Sequence, residues 1–522
     1  MADLTLKRFY GINTKVSDID LAIGESFGLT NVNLTEESLE QRFGSELIST
    51  NIFVDSGANP VPITGLFSDK LNGVVRQVGT GGDRFQEFIG GAWVNVTGAV
   101  TLTSNPNLHT TFTKFKDNAA DDVYIIANGT DAPIKWTGVG NAVALVGPPG
   151  NFQFQAVHKN KLWVNVDQIV YFSAILDGET WNLTRDVIAF SGNGGAITGI
   201  VPYNDRLVVF QNKSISMVYG SEYRDIYVEE VVSGEGCVSG FSPVVINSRR
   251  LGTVIIYLSS DGYFKAFNGT RSPVKIGEVA QSPLFSSMNP TRWPQAIGVD
   301  YEKRNQYWLA MTYGSGATND QVVLYDYFND VHSHPTTGRA ISTVLNHENL
   351  AINAAAIFES ANGPILVTGD YEGRLLQQDS GLNDIDNETI EFSWLSSKID
   401  FGDPTHVKLV VDQNVLTTQY SDTNLELRVS SDQRRGISEK LIRVNGNSRW
   451  GTMIWGVGRW AANTPVYTRM AMVQDPATDE GGVYGRYIQF QFLHSTPNER
   501  LKIEEFLMNI TDLGEQQEYI ET

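Results

Sequence analysis

Side chains able to do chemistry are scattered along this sequence rather than gathered. His332 and His334 stand two apart in DVHSHPTTG, where an extended strand would set both rings on one face, but no Cys or further His lies nearby to complete a metal site. Solvated loop histidines are the expected reading. Asp384, Asp386 and Glu388 in NDIDNET alternate as the oxygen ligands of a calcium loop do, yet the glycine and distal glutamate of an EF-hand are missing. An exposed acidic turn is expected there. The glycines of GTGG, 79–82, precede no helical pattern, so they read as a hairpin turn and not as a phosphate cradle.

SAILDGETW, 173–181, resembles the Asp-box turn of sialidases, in which an Asp and a Gly shape a hairpin and a Trp packs between blades. The spacing departs from that box, since Asp177 and Gly178 adjoin where one residue should separate them, and even a perfect box is structural. A glycosidase of that kind also needs arginines for the substrate carboxylate and a Tyr nucleophile, and no such cluster can be picked out. No catalytic residue, metal ligand or cofactor-binding residue is assigned, and the chain is expected not to be an enzyme. The densest constellation is SRWGTMIWGVGRW, 448–460, which brings Arg449, Trp450, Trp455, Arg459 and Trp460 together. Arg and Trp are enriched at interface hot spots, so these five are the candidate subunit-interface residues; core packing and stacking on single-stranded DNA are the competing readings.

Composition narrows the class. Of 522 residues, 41% are hydrophobic, 19% are charged and 49 are Gly, a globular profile with many tight turns, long enough for a large domain and a smaller one. Asp and Glu number 59 against 39 Lys and Arg, a net charge of −20, which disfavours general affinity for phosphate backbones. The same acidity suits solubility, or a channel wall along which DNA slides without sticking. Cys237 is the one cysteine, so no intrachain disulfide can form, as suits assembly in a reducing cytosol. The opening MADLTLKRFYGINTK has no apolar leader core, and no run of about 18 apolar residues occurs, so neither export nor a membrane anchor is expected.

The elements that position these residues are strands. From about residue 60 onward, β-branched and aromatic runs alternate with Gly, Asn and Asp, while a 3.6-residue periodicity is hard to find. Four hairpins look alike: 158–172, 203–219, 251–267 and 301–325. Leu162, Leu207, Val254 and Tyr307 hold matching places in them at separations of 45, 47 and 53 residues, near the length of about 40–50 residues of a four-stranded propeller blade. Further copies are expected at 85–96, 123–136 and 365–377, the last with a DYEG turn like SSDG at 259–262. The expected fold class is all-β: a β-propeller of six to eight blades over 55–387, with an N-terminal arm and entry segment over 1–54 and a C-terminal strand-rich β domain over 388–522. Unrelated β-sandwich hairpins are the alternative. A capping pattern from Thr35 to Ser38 points to a short helix or turn within the arm.

The opening carries G-I-N-T at 11–14, G-E at 24–25, N-V-N-L at 31–34 and R-F-G at 42–44. In these motifs it resembles the β-propeller tail proteins of short-tailed bacteriophages, the packaged-DNA stabilisation or tail nozzle family. N-K-L at 160–162, YFS at 171–173, the hairpin 205–220 and LRVSSD at 427–432 follow in a similar order. The resemblance covers nearly the whole chain in layout, through short motifs; the long opening segment and the polar stretch at 475–482 depart from it. It implies a homo-oligomeric, hexameric ring of structural subunits in the virion tail, assembled in the host cytoplasm below the portal and adaptor. Such a ring extends the DNA channel, retains the packaged genome and lets it out at ejection, passing double-stranded DNA without sequence-specific binding and without a cofactor. A host-surface-binding tail spike or fibre propeller is the alternative, and it would need exposed aromatic and carboxylate residues on one propeller rim.

Overall fold

The repeat in the sequence is the middle of each blade. In the computed structural model, the four alike hairpins fall on the second and third strands of successive sheets: Lys161–Val166 with Ile169–Ala174, Arg206–Gln211 with Ser214–Tyr219, Gly252–Leu258 with Phe264–Phe267, and Gln306–Met311 with Gln321–Asp326. A second strand is covered on both faces by neighbouring blades, so it reads as an apolar run and not as an alternation. Leu207, Val208, Val209 and Phe210 are all fully buried.

The structure describes residues 2–35, 38–190, 192, 194–280, 284–334, 338–418, 423–432, 438–444, 465–471 and 483–515. Among these, seven sheets of four or five strands form a β-propeller, over 63–95, 111–144, 155–189, 197–233, 244–275, 297–348 and 354–378. The first strand of the first blade, Ile63–Leu71, lies against those of the second and seventh, Thr111–Lys116 and Ala354–Ser360, which closes the disc. Side chains tie blade to blade: the hydroxyl of Tyr124 donates to Asp69 O at 2.6 Å, that of Tyr203 to Thr253 O at 2.6 Å, and that of Tyr307 to Ser242 O at 2.8 Å. The copy expected at 85–96 is one strand out of step, being the third and fourth strands of the first blade, Arg84–Ile89 and Ala92–Asn95. Its second strand, Val74–Gly81, is masked in the sequence by the glycines read as a turn. A Cβ on Gly79 would stand 2.8 Å from the Trp93 ring and one on Gly81 3.1 Å from Phe53, so both are strand residues under close packing, and only Gly82, at φ +53°, turns the chain.

The segment 1–54, expected as an arm, is divided between two bodies. Ser45–Leu47 pairs antiparallel with Leu375–Gln378 as the outermost strand of the seventh blade. Ahead of it, Ala2–Leu6, Val32–Thr35 and Ser38–Gln41 join His406–Thr418, Pro465–Ala471, Tyr484–Gly485 and Lys502–Glu515 in a seven-stranded sheet. Ser26–Thr30 joins Phe392–Ser396, Thr423–Ser431, Ser438–Val444 and Ile488–His494 in a five-stranded sheet. Thr35 and Ser38 are paired strand residues, and Thr35 is not the cap of a helix. The two sheets face each other through Phe490 and Phe506, with ring centroids 4.5 Å apart, and through Phe492 and Phe506 at 5.3 Å. The propeller is thus inserted into a β-sandwich built by both ends of the chain, and one apolar core runs from Phe490 and Trp394 of the sandwich to Trp308 and Leu324 of the sixth blade.

Candidate functional site

The motifs of the opening converge on the joint between the sixth blade and the sandwich. Gly11 N donates to Ser342 O, Ile12 N to Val344 O and Asn31 N to Asn346 O, each at 2.8 Å, so the segment runs along the blade's outer strand, Val344–Glu348. Gly11 has no room for a side chain, since a Cβ would stand 2.3 Å from Val344 O. Two buried polar knots fix this seam. In the first, Glu25 accepts from Asn13 Nδ2 at 3.1 Å, Ala22 N at 3.0 Å, Ser342 N at 2.9 Å and the Arg339 guanidinium at 2.9 Å. Burial pushes the Glu25 carboxyl up, and Arg339, Ser342 and Asn13 more than offset this, so it lies below the usual range.

The second knot is built on Arg42 and Asn31. Arg42 donates from Nε to Asn31 Oδ1 at 2.7 Å, from Nη1 to Asp384 Oδ1 at 2.8 Å and from Nη2 to Glu348 O at 3.1 Å. Asn31 also accepts from Glu348 N at 2.9 Å and donates to Glu391 O at 2.8 Å. Gly44 follows against Asn383, whose carbonyl oxygen would lie 1.7 Å from a Cβ. The side chains of Arg339, Arg42 and Asn31 thus each meet an acceptor across the seam, as a buried polar cluster requires.

The residues weighed for chemistry are placed otherwise. Asp384 is not part of an exposed acidic turn: it is buried, because Arg42 from the far end of the chain neutralises it. Asp386 is exposed and pairs with Arg374 at 3.0 Å. His332 and His334 are half-buried beside the joint, the ring of His332 5.5 Å from that of Tyr10. Asp177–Trp181 is an outer strand of the third blade, where Trp181 Nε1 donates to Gly178 O at 3.0 Å and Glu179 binds Lys135 of the second blade at 2.8 Å. Cys237 is fully buried, and burial pushes its thiol up to about 12. Arg449, Trp450, Trp455, Arg459 and Trp460 lie outside the described residues.

Sequence reasoning misses the plug in the disc. His109, between the first and second blades, packs on Phe241, between the fourth and fifth, with ring centroids 5.0 Å apart. Nearby, Asn353 at the entry to the seventh blade donates to Ile63 O at 2.9 Å, and Arg292 ahead of the sixth donates to Asn107 Oδ1 at 2.8 Å. Connections from so many sides of a disc meet only near its axis, so the axis of the propeller is filled on this face. Burial drives the His109 imidazole down to about 4, which keeps it neutral.

No protein-family profile matches this chain, and no curated protein does. Among solved structures, the chain is similar to BamB from Moraxella catarrhalis at 10% identity and a TM-score of 0.38, over 65% of this chain and 97% of that one. It is similar to the Pan2 WD40 domain of Neurospora crassa at 9% identity and a TM-score of 0.37, over 66% and 97%. The WD40 β-propeller domain of Doa1 gives 10% and 0.33, over 64% and 97%. By the topology of its sheets this chain is a seven-bladed β-propeller carrying a β-sandwich.

Proposed function

We propose that this chain is a structural, non-enzymatic subunit of a virus particle, forming the nozzle ring of a short bacteriophage tail. Six copies surround a passage below the portal and adaptor, hold the packaged genome back and release it at ejection; assembly takes place in the host cytoplasm. One observation carries the reading: the residues of the tail-protein resemblance, Gly11, Asn13, Glu25, Asn31, Arg42 and Gly44, make the joint that welds propeller to sandwich. A ring that restrains DNA needs subunits that do not flex internally, and two buried polar knots across a shared core supply that stiffness.

The filled propeller axis bears on where the genome passes. A duplex cannot thread a disc plugged by His109 and Phe241, so the passage is the hole between subunits. Six copies at −20 each sum to −120, and acidic walls repel phosphates weakly at physiological salt, where the Debye length is about 8 Å. No single site then traps the duplex, and retention depends on a narrow constriction and not on tight phosphate binding. The test is native mass measurement and negative-stain imaging of the purified chain. Six-fold rings with a central hole are expected; trimers would favour the spike or fibre reading, and neither trimers nor monomers at high concentration fit a nozzle.

A further inference from the structure

The surface of the propeller carries an arginine and aromatic rim across three blades. The guanidinium of Arg206 lies 4.8 Å from the centre of the Tyr219 ring, which is 5.8 Å from the ring of Tyr227, itself 61% exposed. The hydrogen bond from Tyr203 to Thr253 joins this part of the fourth blade to the fifth. There Arg249 stacks 3.6 Å over Phe328, which belongs to the sixth blade and is 40% exposed. A guanidinium over a ring is held in place by the ring and keeps its hydrogen-bond donors for a carboxylate.

A second surface, on the sandwich, has the opposite chemistry. The paired strands His406–Thr418 and Lys502–Glu515 lose register around Val410 and Asp412, and the residue left between them, Val411, is 47% exposed. Leu513 on the partner strand is 55% exposed. Asp512 precedes it, Glu515 lies two positions on, and Asp403 and Asp512 both pair with His406. An exposed leucine flanked by carboxylates complements aromatic rings edged by guanidinium groups.

We propose that the arginine and aromatic rim of one copy seats on this acidic face of the sandwich of a second copy. The inference rests on the ring reading and gives that ring its contact. A contact that set each patch against its own copy would place Arg206 and Arg249, or Asp512 and Glu515, against like charge and be repelled. Where a rim meets one neighbour and the face of the same copy meets another, the contact is head-to-tail, and head-to-tail contacts close into rings when the rotation permits.

The experiment uses two charge-reversed full-length chains, one carrying Arg206→Glu and Arg249→Glu, the other Asp512→Lys and Glu515→Lys. Each alone is expected to need at least about tenfold more protein to assemble than wild type does, because close charge pairs across an interface dominate its coupling. Mixed, the two should assemble into rings in which they alternate, since the intact rim of one meets the intact face of the other and the reversed rim meets the reversed face. A chain with all four reversals should recover rings, which a misfolded variant could not do. If wild type forms rings and both reversed chains form them equally well, the contact is wrong and the ring reading stands. Wild type that stays at 57.6 kDa at every concentration overturns both.

Discussion

Arg42 and Asp384 stand 342 positions apart in the sequence and form a buried, two-pronged ion pair in the fold. Neither charge can be left alone at that depth. Replacing Arg42 with Met strands the Asp384 carboxylate, so a loss of about 3–5 kcal/mol is expected in denaturant unfolding. Arg42→Met combined with Asp384→Leu should recover part of that loss, because removing both charges also removes the uncompensated one. A single variant as stable as wild type would show that the pair does not hold the joint.

The joint leaves its glycines no latitude. Ala at Gly11 or Gly44 would place a Cβ 2.3 or 1.7 Å from a backbone oxygen, and forcing the backbone to yield costs about 1–3 kcal/mol. Gly28 lies in the same segment with nothing within 4 Å of a Cβ, so Ala there should leave the unfolding midpoint nearly unchanged. Equal effects at all three positions would mean that glycine flexibility, and not packing, matters.

Much of the propeller was legible because its second strands are covered on both faces and read as apolar runs around Leu162, Leu207, Val254 and Tyr307. The closing strand was not: Ser45–Leu47 is three residues long, one of them Glu, and pairs with a partner more than 300 positions away. The sandwich was half legible. Alternation in Ile488–His494 marks its strands, but nothing in the opening shows that Ser26–Thr30 completes the same sheet. In the site, the motif residues could be named without their partners, since Arg339 and Asp384 sit in loops whose sequence carries no sign of pairing.

Acid should loosen the disc through its histidines. His109 and His347 are buried neutral, their imidazoles pushed down by burial, to about 4 for His109 and well below the ordinary value for His347. In the unfolded chain both take up protons below about 6.5, so their contribution is full above that pH and is lost as pH falls toward 4, by up to about 3 kcal/mol for His109. Asp300 and Asp326, raised to about 6 by burial, act in the opposite sense, contributing most at low pH and losing it as pH rises through 6. The clean readout is therefore the difference between wild type and His109→Gln from pH 6.5 to 4. It should narrow as pH falls, and a constant difference would mean that His109 is protonated in the fold.

Duplex DNA should bind the purified chain weakly. With acidic residues exceeding basic ones by 20, few counterions can be released from the duplex, and a plot of log K against log salt should be shallow. Tight binding with a steep slope would point to a basic lumen and remove the sliding passage, while leaving the propeller assignment intact.

The central claim is a place in the particle, and the direct measurement is electron microscopy of intact virions made from the genome that encodes this chain, labelled with an antibody raised against the purified protein. The nozzle account predicts label on the tail axis at one vertex, with six copies around a central hole in averaged images. Label at the tail periphery in groups of three, or particles without this chain, would contradict it.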